Sequence, residues 1–203
     1  MRNVAKRAAR ADNEEHGTAK KTPVVNHSTG YRRTAHRVVY ENPWVRFEAH
    51  AIVHPTGVPG EHGLIITPPA CAVVVLDGTD VLLARQARFA LDREVLEVIK
   101  GGRHPGEDAQ ACAVREVREE AGVVAARWDV LGEAYEIPSL VQDPVALFLA
   151  RELTAAPLPP EAVEQIAIVR MPFDDALAAC ADGRLDDTVT ALALLRAARV
   201  LRG

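Results

Sequence analysis

Three glutamates, Glu116, Glu119 and Glu120, fall within the short run EVREE, and carboxylates three and four residues apart on a helix repel one another. At 100° per residue, Glu116 and Glu120 lie about 40° apart around the helix and Glu119 falls about 60° to the other side. All three share one face. Hard oxygen ligands grouped in this way suit Mg²⁺ or Mn²⁺, which keep several waters and bind substrate phosphates beside a few carboxylates. The plain alternative is a solvated helix face on which Arg115 and Glu119 form an i,i+4 ion pair.

The helix that presents these acids has its own boundary signals. Pro105 and Gly106 precede it, Glu107 and Asp108 are expected in the first turn, where the dipole favours acids, and Gly122 follows its end. Ala113, Val117 and Ala121 recur every four residues as a narrow apolar stripe suited to close packing on a sheet, and the carboxylates lie on a different face. Upstream, short β-rich runs alternate with turns: HRVVYE, WVRFEAHAIVH, HGLIITP, CAVVVLD and VLLARQARF, with DGTD (77–80) as a hairpin turn and REVLEVIKGG as one further strand leading into the helix. Downstream, WDVLGEAYEI and VALFLARELT are expected as strands around the loop PSLVQDP, and QIAIVRMPF as another. FDDALAACADGRL and DDTVTALALLRAARVL follow as two helices, the second apolar enough to pack across the sheet. The fold class is α/β, an α/β/α sandwich with a mixed sheet.

With 203 residues, 48% of them hydrophobic, the chain supports one sizeable core with room for a small appendage. Residues 1–35 are polar and basic and are expected to be a disordered tail, residues 36–66 an N-terminal β region, and residues 67–203 the main domain. A net charge of −4 gives no basic footprint, so a nucleic-acid partner is not expected. The three cysteines, Cys71, Cys112 and Cys180, show no CxxC spacing, which argues against a disulfide framework or a zinc site and for a reducing, cytoplasmic setting. Cys112 is expected to pack as a small hydrophobe and His104 to be a solvated turn residue. No apolar stretch approaches a membrane span, and no GxSxG, P-loop or GxGxxG occurs.

Taken as a pattern, Gly101, five residues, Glu107, seven residues, Arg115-Glu116-Val117, one residue, Glu119-Glu120, one residue and Gly122-Val123 match the signature of the Nudix hydrolases, which the chain therefore resembles. ENPW, LLARQARF, Pro138 and the closing VRMPFDDALAACADGRLDDTVTALALL resemble the ADP-ribose pyrophosphatase branch. The resemblance implies the Nudix fold, with Glu116, Glu119 and Glu120 holding divalent ions, joined by the backbone carbonyl of Lys100. It gives Gly101, Glu107, Arg115 and Gly122 a structural part, the arginine orienting an acid of the helix. Arg88 is expected to approach a pyrophosphate. Trp44 is expected either to stack on adenine, as N-terminal aromatics from a partner subunit do in this branch, or to be core. Asp143, or a box glutamate, Glu119, is expected as the catalytic base.

The implied reaction is Mg²⁺-dependent hydrolysis, with Mn²⁺ as an alternative ion, of ADP-ribose or a related nucleoside diphosphate sugar to a nucleoside monophosphate and a sugar phosphate, by a homodimer. The other reading is a non-catalytic sensor that binds such a nucleotide. Two stretches depart from the branch. Where it carries a proline and then a small residue before the box glycine, this chain has Ile99 and Lys100, and Pro138-Ser139-Leu140-Val141-Gln142-Asp143 differs from its usual loop.

Overall fold

The computed structural model describes residues 24–142, 144–158 and 166–203. The elements in chain order are β1 (Val25–Asn26), β2 (Arg32–Glu41), β3 (Arg46–Val53), β4 (Pro59–Ile66), β5 (Ala70–Asp77), β6 (Asp80–Arg88), β7 (Arg93–Glu97), β8 (Ile99–Gly102), α1 (Ala109–Ala121), β9 (Val123–Tyr135), β10 (Val141–Gln142), β11 (Pro144–Ala155), β12 (Ala167–Pro172), α2 (Phe173–Ala181) and α3 (Thr188–Arg202). One sheet has the order β1-β2-β3-β4-β10. The other runs β12-β6-β5-β11-β9, with β7 paired to β6 and β8 to β5. The chain divides into two compact units, one holding residues up to Arg37 with His50–His62, the other Val38–Ala49 with Gly63–Gly203. The acidic helix and everything around it belong to the second.

In that unit the strand period of two sorts side chains to opposite faces of the larger sheet. Along β5, Ala72, Val74 and Leu76 join a core with residues of α2 and α3, among them Phe173, Ala176, Ala193, Leu194 and Ala197. The alternating Cys71, Val73 and Val75 face the other way, into a core with Cys112, Ala113 and Val117 of α1. β6 splits in the same manner: Val81 and Leu83 go to the first core, Leu82 and Ala84 to the second. Both faces are buried, so these strands are almost continuously apolar. The sheet is mixed, since β11 runs parallel to β5 and antiparallel to β9, and the layers form the expected α/β/α sandwich.

Among the described residues regular structure begins at Val25, inside the stretch 1–35 whose composition suggests a tail, and residues 1–23 lie outside the described residues. β1 pairs with β2 at Val25↔Arg33 and Asn26↔Arg32, and a ladder needs backbone N–H and C=O groups rather than apolar side chains. A strand exposed on both faces therefore has the composition of a tail. REVLEVIKGG is also not one strand. Its first half pairs with β6 and its second with β5, and the ladder changes partner at Val98, whose buried N–H donates to Thr190 Oγ1 at 3.0 Å. PSLVQDP contains β10, a two-residue strand parallel to β4 at Val141↔Ile65 and Gln142↔Ile66.

Candidate active site

α1 starts where Asp108 caps it, its carboxylate accepting from Ala111 N at 2.8 Å, so Asp108 is the cap rather than a first-turn residue. It ends at Gly122, whose φ of 64° is left-handed and whose N–H reaches Arg118 O at 3.1 Å. The other box glycine has a different reason. A Cβ on Gly101 would lie 1.8 Å from the Glu116 carboxyl carbon and 1.9 and 2.4 Å from its oxygens. The Glu116 carboxylate occupies the space of the missing side chain, and this close approach seats α1 against β8.

Arg115 then fastens the acids. Its guanidinium donates to both oxygens of Glu107 at 3.0 Å, to Glu116 Oε1 at 2.6 Å and Glu119 Oε2 at 2.9 Å, and to Gly102 O at 3.0 Å. One residue thus joins the loop before the helix, the strand below it and two of the three glutamates, a geometry that a forked guanidinium permits and an ammonium does not. The i,i+4 pair of the plain alternative exists, but as one arm of this larger clamp.

The Arg115 guanidinium, helped by the His104 N–H at 2.9 Å, holds the Glu107 carboxyl down to about 2, against an ordinary 4.5. A depressed carboxylate pKa adds stability that is complete above the unfolded value and is lost as pH falls through the folded one. The gap in urea midpoint between wild type and Glu107→Gln is therefore expected to be full at neutral pH and to shrink from about pH 4.5 towards about pH 2. A gap that stays constant over that window would show that the clamp's charge is irrelevant.

Glu116, Glu119 and Glu120, with Lys100, Gly101, Gly102 and Trp44, line a cleft of about 1240 Å³. Glu116 is buried, Glu120 half-buried and Glu119 exposed, so the acids run from the floor to the rim. As a donor set, three carboxylates beside backbone carbonyls suit a hard divalent cation. Among the described residues, however, no three ligand-type side chains converge on one point. Arg115 NH1 holds one oxygen each of Glu116 and Glu119. Trp44 is 74% exposed and is not core. It sits on a turn in which Asn42 Oδ1 accepts from Trp44 N at 2.9 Å and Val45 N at 2.8 Å.

A second charged cluster lies behind β8. Glu97, 3% exposed, accepts from Arg88 Nε at 3.1 Å and meets Lys100 Nζ at 3.2 Å, while Lys100 also reaches Asp187 Oδ1 at 2.9 Å. The Lys100 side chain is thus engaged here. Burial pushes the Asp187 carboxyl up, but the Lys100 ammonium and the hydrogen bonds from Thr190 outweigh it and the net direction is down. Arg88 is held above its ordinary range, first by its hydrogen bond to Glu97 and more weakly by Glu120; it does not line the cleft. Glu97, Asp187 and Thr190 are not marked by any sequence motif above, although Asp187 directly before an apolar helix is a cap signal, and the structure shows it capping α3. Asp143 lies outside the described residues.

Cys71 and Cys112, 41 positions apart, bring their sulfurs to 3.2 Å in the core under the box. The lack of a CxxC spacing concealed this pair.

A model of the NUDIX domain matches residues 66–192 of the chain. The chain belongs to the Nudix family. It is 28% identical over 143 residues to the ADP-ribose pyrophosphatase of Bacillus subtilis (strain 168), covering 69% of this chain and 77% of that protein. To the methanol dehydrogenase activator of Bacillus methanolicus it is 23% identical over 161 residues, 77% of this chain and 86% of that one. The crystal structure of an ADP compounds hydrolase shares the fold with a TM-score of 0.75 at 20% identity, over 93% of this chain and 98% of that chain. The protein is a Nudix hydrolase with the Nudix α/β fold, and it belongs to enzymes that cleave pyrophosphate bonds with divalent metal ions. Among its described residues no helix is long and apolar enough to cross a membrane.

Proposed function

We propose that this Nudix hydrolase cleaves the pyrophosphate of ADP-ribose or a related nucleoside diphosphate sugar, releasing a nucleoside monophosphate and a sugar phosphate. The observation that carries the reading is the shared cleft, with the three carboxylates of α1 and the backbone of β8 on its wall and the exposed Trp44 ring on its lining. The similarity to an ADP-ribose pyrophosphatase supports the substrate class.

In this reading Glu116, Glu119 and Glu120, with the Lys100 carbonyl, hold Mg²⁺, and Mn²⁺ serves in its place. When bound, the cation draws charge from the phosphate oxygens and makes water a better nucleophile. Arg115 sets the starting positions of Glu116 and Glu119, and Asp143 or Glu119 takes the proton from the attacking water. Trp44 offers its face to the base. Arg88, side chain 39% exposed beside Glu97, is the candidate partner for a substrate phosphate. The complete carboxylate set favours turnover over the sensor reading. The exposed Val38, Val39 and Tyr40 on β2 are the proposed contact of a homodimer, and a cytoplasmic setting fits the three free thiols.

The test is turnover of ADP-ribose, NADH, sugar nucleotides, diadenosine polyphosphates and oxidised nucleotides with Mg²⁺ or Mn²⁺. ADP-ribose or a sugar nucleotide is expected to be consumed fastest. Trp44→Ala, measured on that substrate, is expected to raise KM about tenfold, the scale of one lost base stack, with kcat nearly unchanged. Failure of every nucleotide diphosphate sugar to turn over would overturn the proposal.

A further inference from the structure

Cys71 on β5 and Cys112 on α1 are both fully buried, and their sulfurs stand 3.2 Å apart. A disulfide holds its sulfurs at about 2.05 Å, so about an ångström of approach separates the thiol pair from a bond. The pair sits one layer below the cleft. Cys112 Sγ is 3.7 Å from Gly101 O and 3.5 Å from the Arg115 guanidinium, and Gly101 and Arg115 both line the cleft. A small oxidant in the cleft therefore meets Cys112 after a local opening of the clamp alone. The third cysteine, Cys180, lies on α2, in the core on the opposite face of the sheet, and is a natural control.

We propose that Cys71 and Cys112 are a modification site, joined into a disulfide by an oxidant of the peroxide class, which locks α1 to β5 and lowers turnover. The Cys112 sulfur attacks one peroxide oxygen; the S–O bond forms, the O–O bond breaks, and the leaving hydroxide departs as water with the thiol proton. The Cys71 sulfur then attacks the oxidised Cys112 sulfur; the S–S bond forms, the S–O bond breaks, and a second water leaves with the Cys71 proton. Two thiols lose two electrons and one peroxide becomes two waters. The new bond draws Cys112 towards Cys71 on β5, and its present contacts with Gly101 O and the Arg115 fork have to readjust. Because Arg115 and Glu116 lie three and four residues further along the same helix, the carboxylates move with it. Displacements of this size are large on the scale that catalysis tolerates.

The experiment treats the full chain with hydrogen peroxide, blocks remaining thiols under denaturing conditions, and reads intact mass, a non-reducing peptide map, thermal midpoint and turnover. Expected are one blocked thiol, Cys180, where the untreated chain has three, a mass about 2 Da lower once that blocking group is subtracted, for the two thiol hydrogens given up in forming the bond, a cross-link between the peptides carrying Cys71 and Cys112, a Tm higher by about 5 °C or more, and at least a tenfold fall in turnover, all reversed by dithiothreitol. Cys180→Ala is expected to behave as wild type and Cys112→Ala to lose the cross-link. Cys71 and Cys112 both still free after oxidation, a cross-link through Cys180, or a cross-linked enzyme with undiminished turnover each overturn the proposal. The mass and melting arms need no substrate, so failure of the hydrolysis reading leaves them decisive, and an enzyme that hydrolyses nucleotides but never cross-links sinks this inference alone.

Discussion

Glu120→Gln and Glu119→Gln are expected to lower kcat by a factor on the order of 10² to 10⁴ while leaving Tm within a few degrees. What each charge does when no cation is present decides this. Glu119 is exposed, and its 2.9 Å contact with Arg115 is an i,i+4 pair at the surface, an interaction worth only a few tenths of a kcal/mol. Losing that charge is negligible for the fold, so a large kinetic loss has to come from the cation and the phosphates it neutralises. Titration with Mg²⁺ or Mn²⁺ makes the attribution specific, since a variant that lacks a ligand needs more metal to reach its reduced maximum. Full activity of Glu120→Gln at low Mg²⁺ would remove the metal site from this helix. The same assay separates the two candidate bases. Asp143→Asn with a loss of about a hundredfold and no acidic limb in the pH profile assigns the proton transfer to Asp143, and a loss below about fivefold assigns it to Glu119.

Gly101→Ala is the second large effect. The added methyl would sit 1.8 Å from the Glu116 carboxyl carbon, and the carboxylate has little freedom to retreat, because it is buried and bound to Arg115 at 2.6 Å. Overpacking of this kind costs about 1 to 3 kcal/mol, and the displaced Glu116 is one of the proposed ligands, so both stability and turnover are expected to fall, turnover by at least tenfold. Gly102→Ala is the control: a methyl there would meet no atom within 4 Å, and it is expected to change stability by less than about 1 kcal/mol. Glu116→Ala in the Gly101→Ala background removes the clash, so the double variant is expected to be more stable than the additive sum while staying inactive. Additive losses would show that the steric account of the box glycine is wrong.

The acidic face of α1 was legible in the sequence because its determinants are local. Helix geometry alone sets Glu116, Glu119 and Glu120 on one side of α1, Gly122 ends the helix through a contact four residues back, and the almost unbroken apolar runs of β5 and β6 mark them as strands. Arg115 beside Glu119 was equally visible as a pair. What arrived only with the tertiary structure joins positions far apart in the chain: Glu116 in the space left by Gly101, Cys71 against Cys112, and Val98 handing its N–H to Thr190 across 92 positions. Arg88 shows the same limit. Its strand was recognisable, but the buried Glu97 that claims its guanidinium lies on β7 opposite Ala84, and the long Arg88 side chain reaches it from four residues further along β6. Local patterns report which face a residue shows, since that follows from backbone periodicity. Which residue meets it there depends on how strands and helices are layered, and backbone periodicity does not report that.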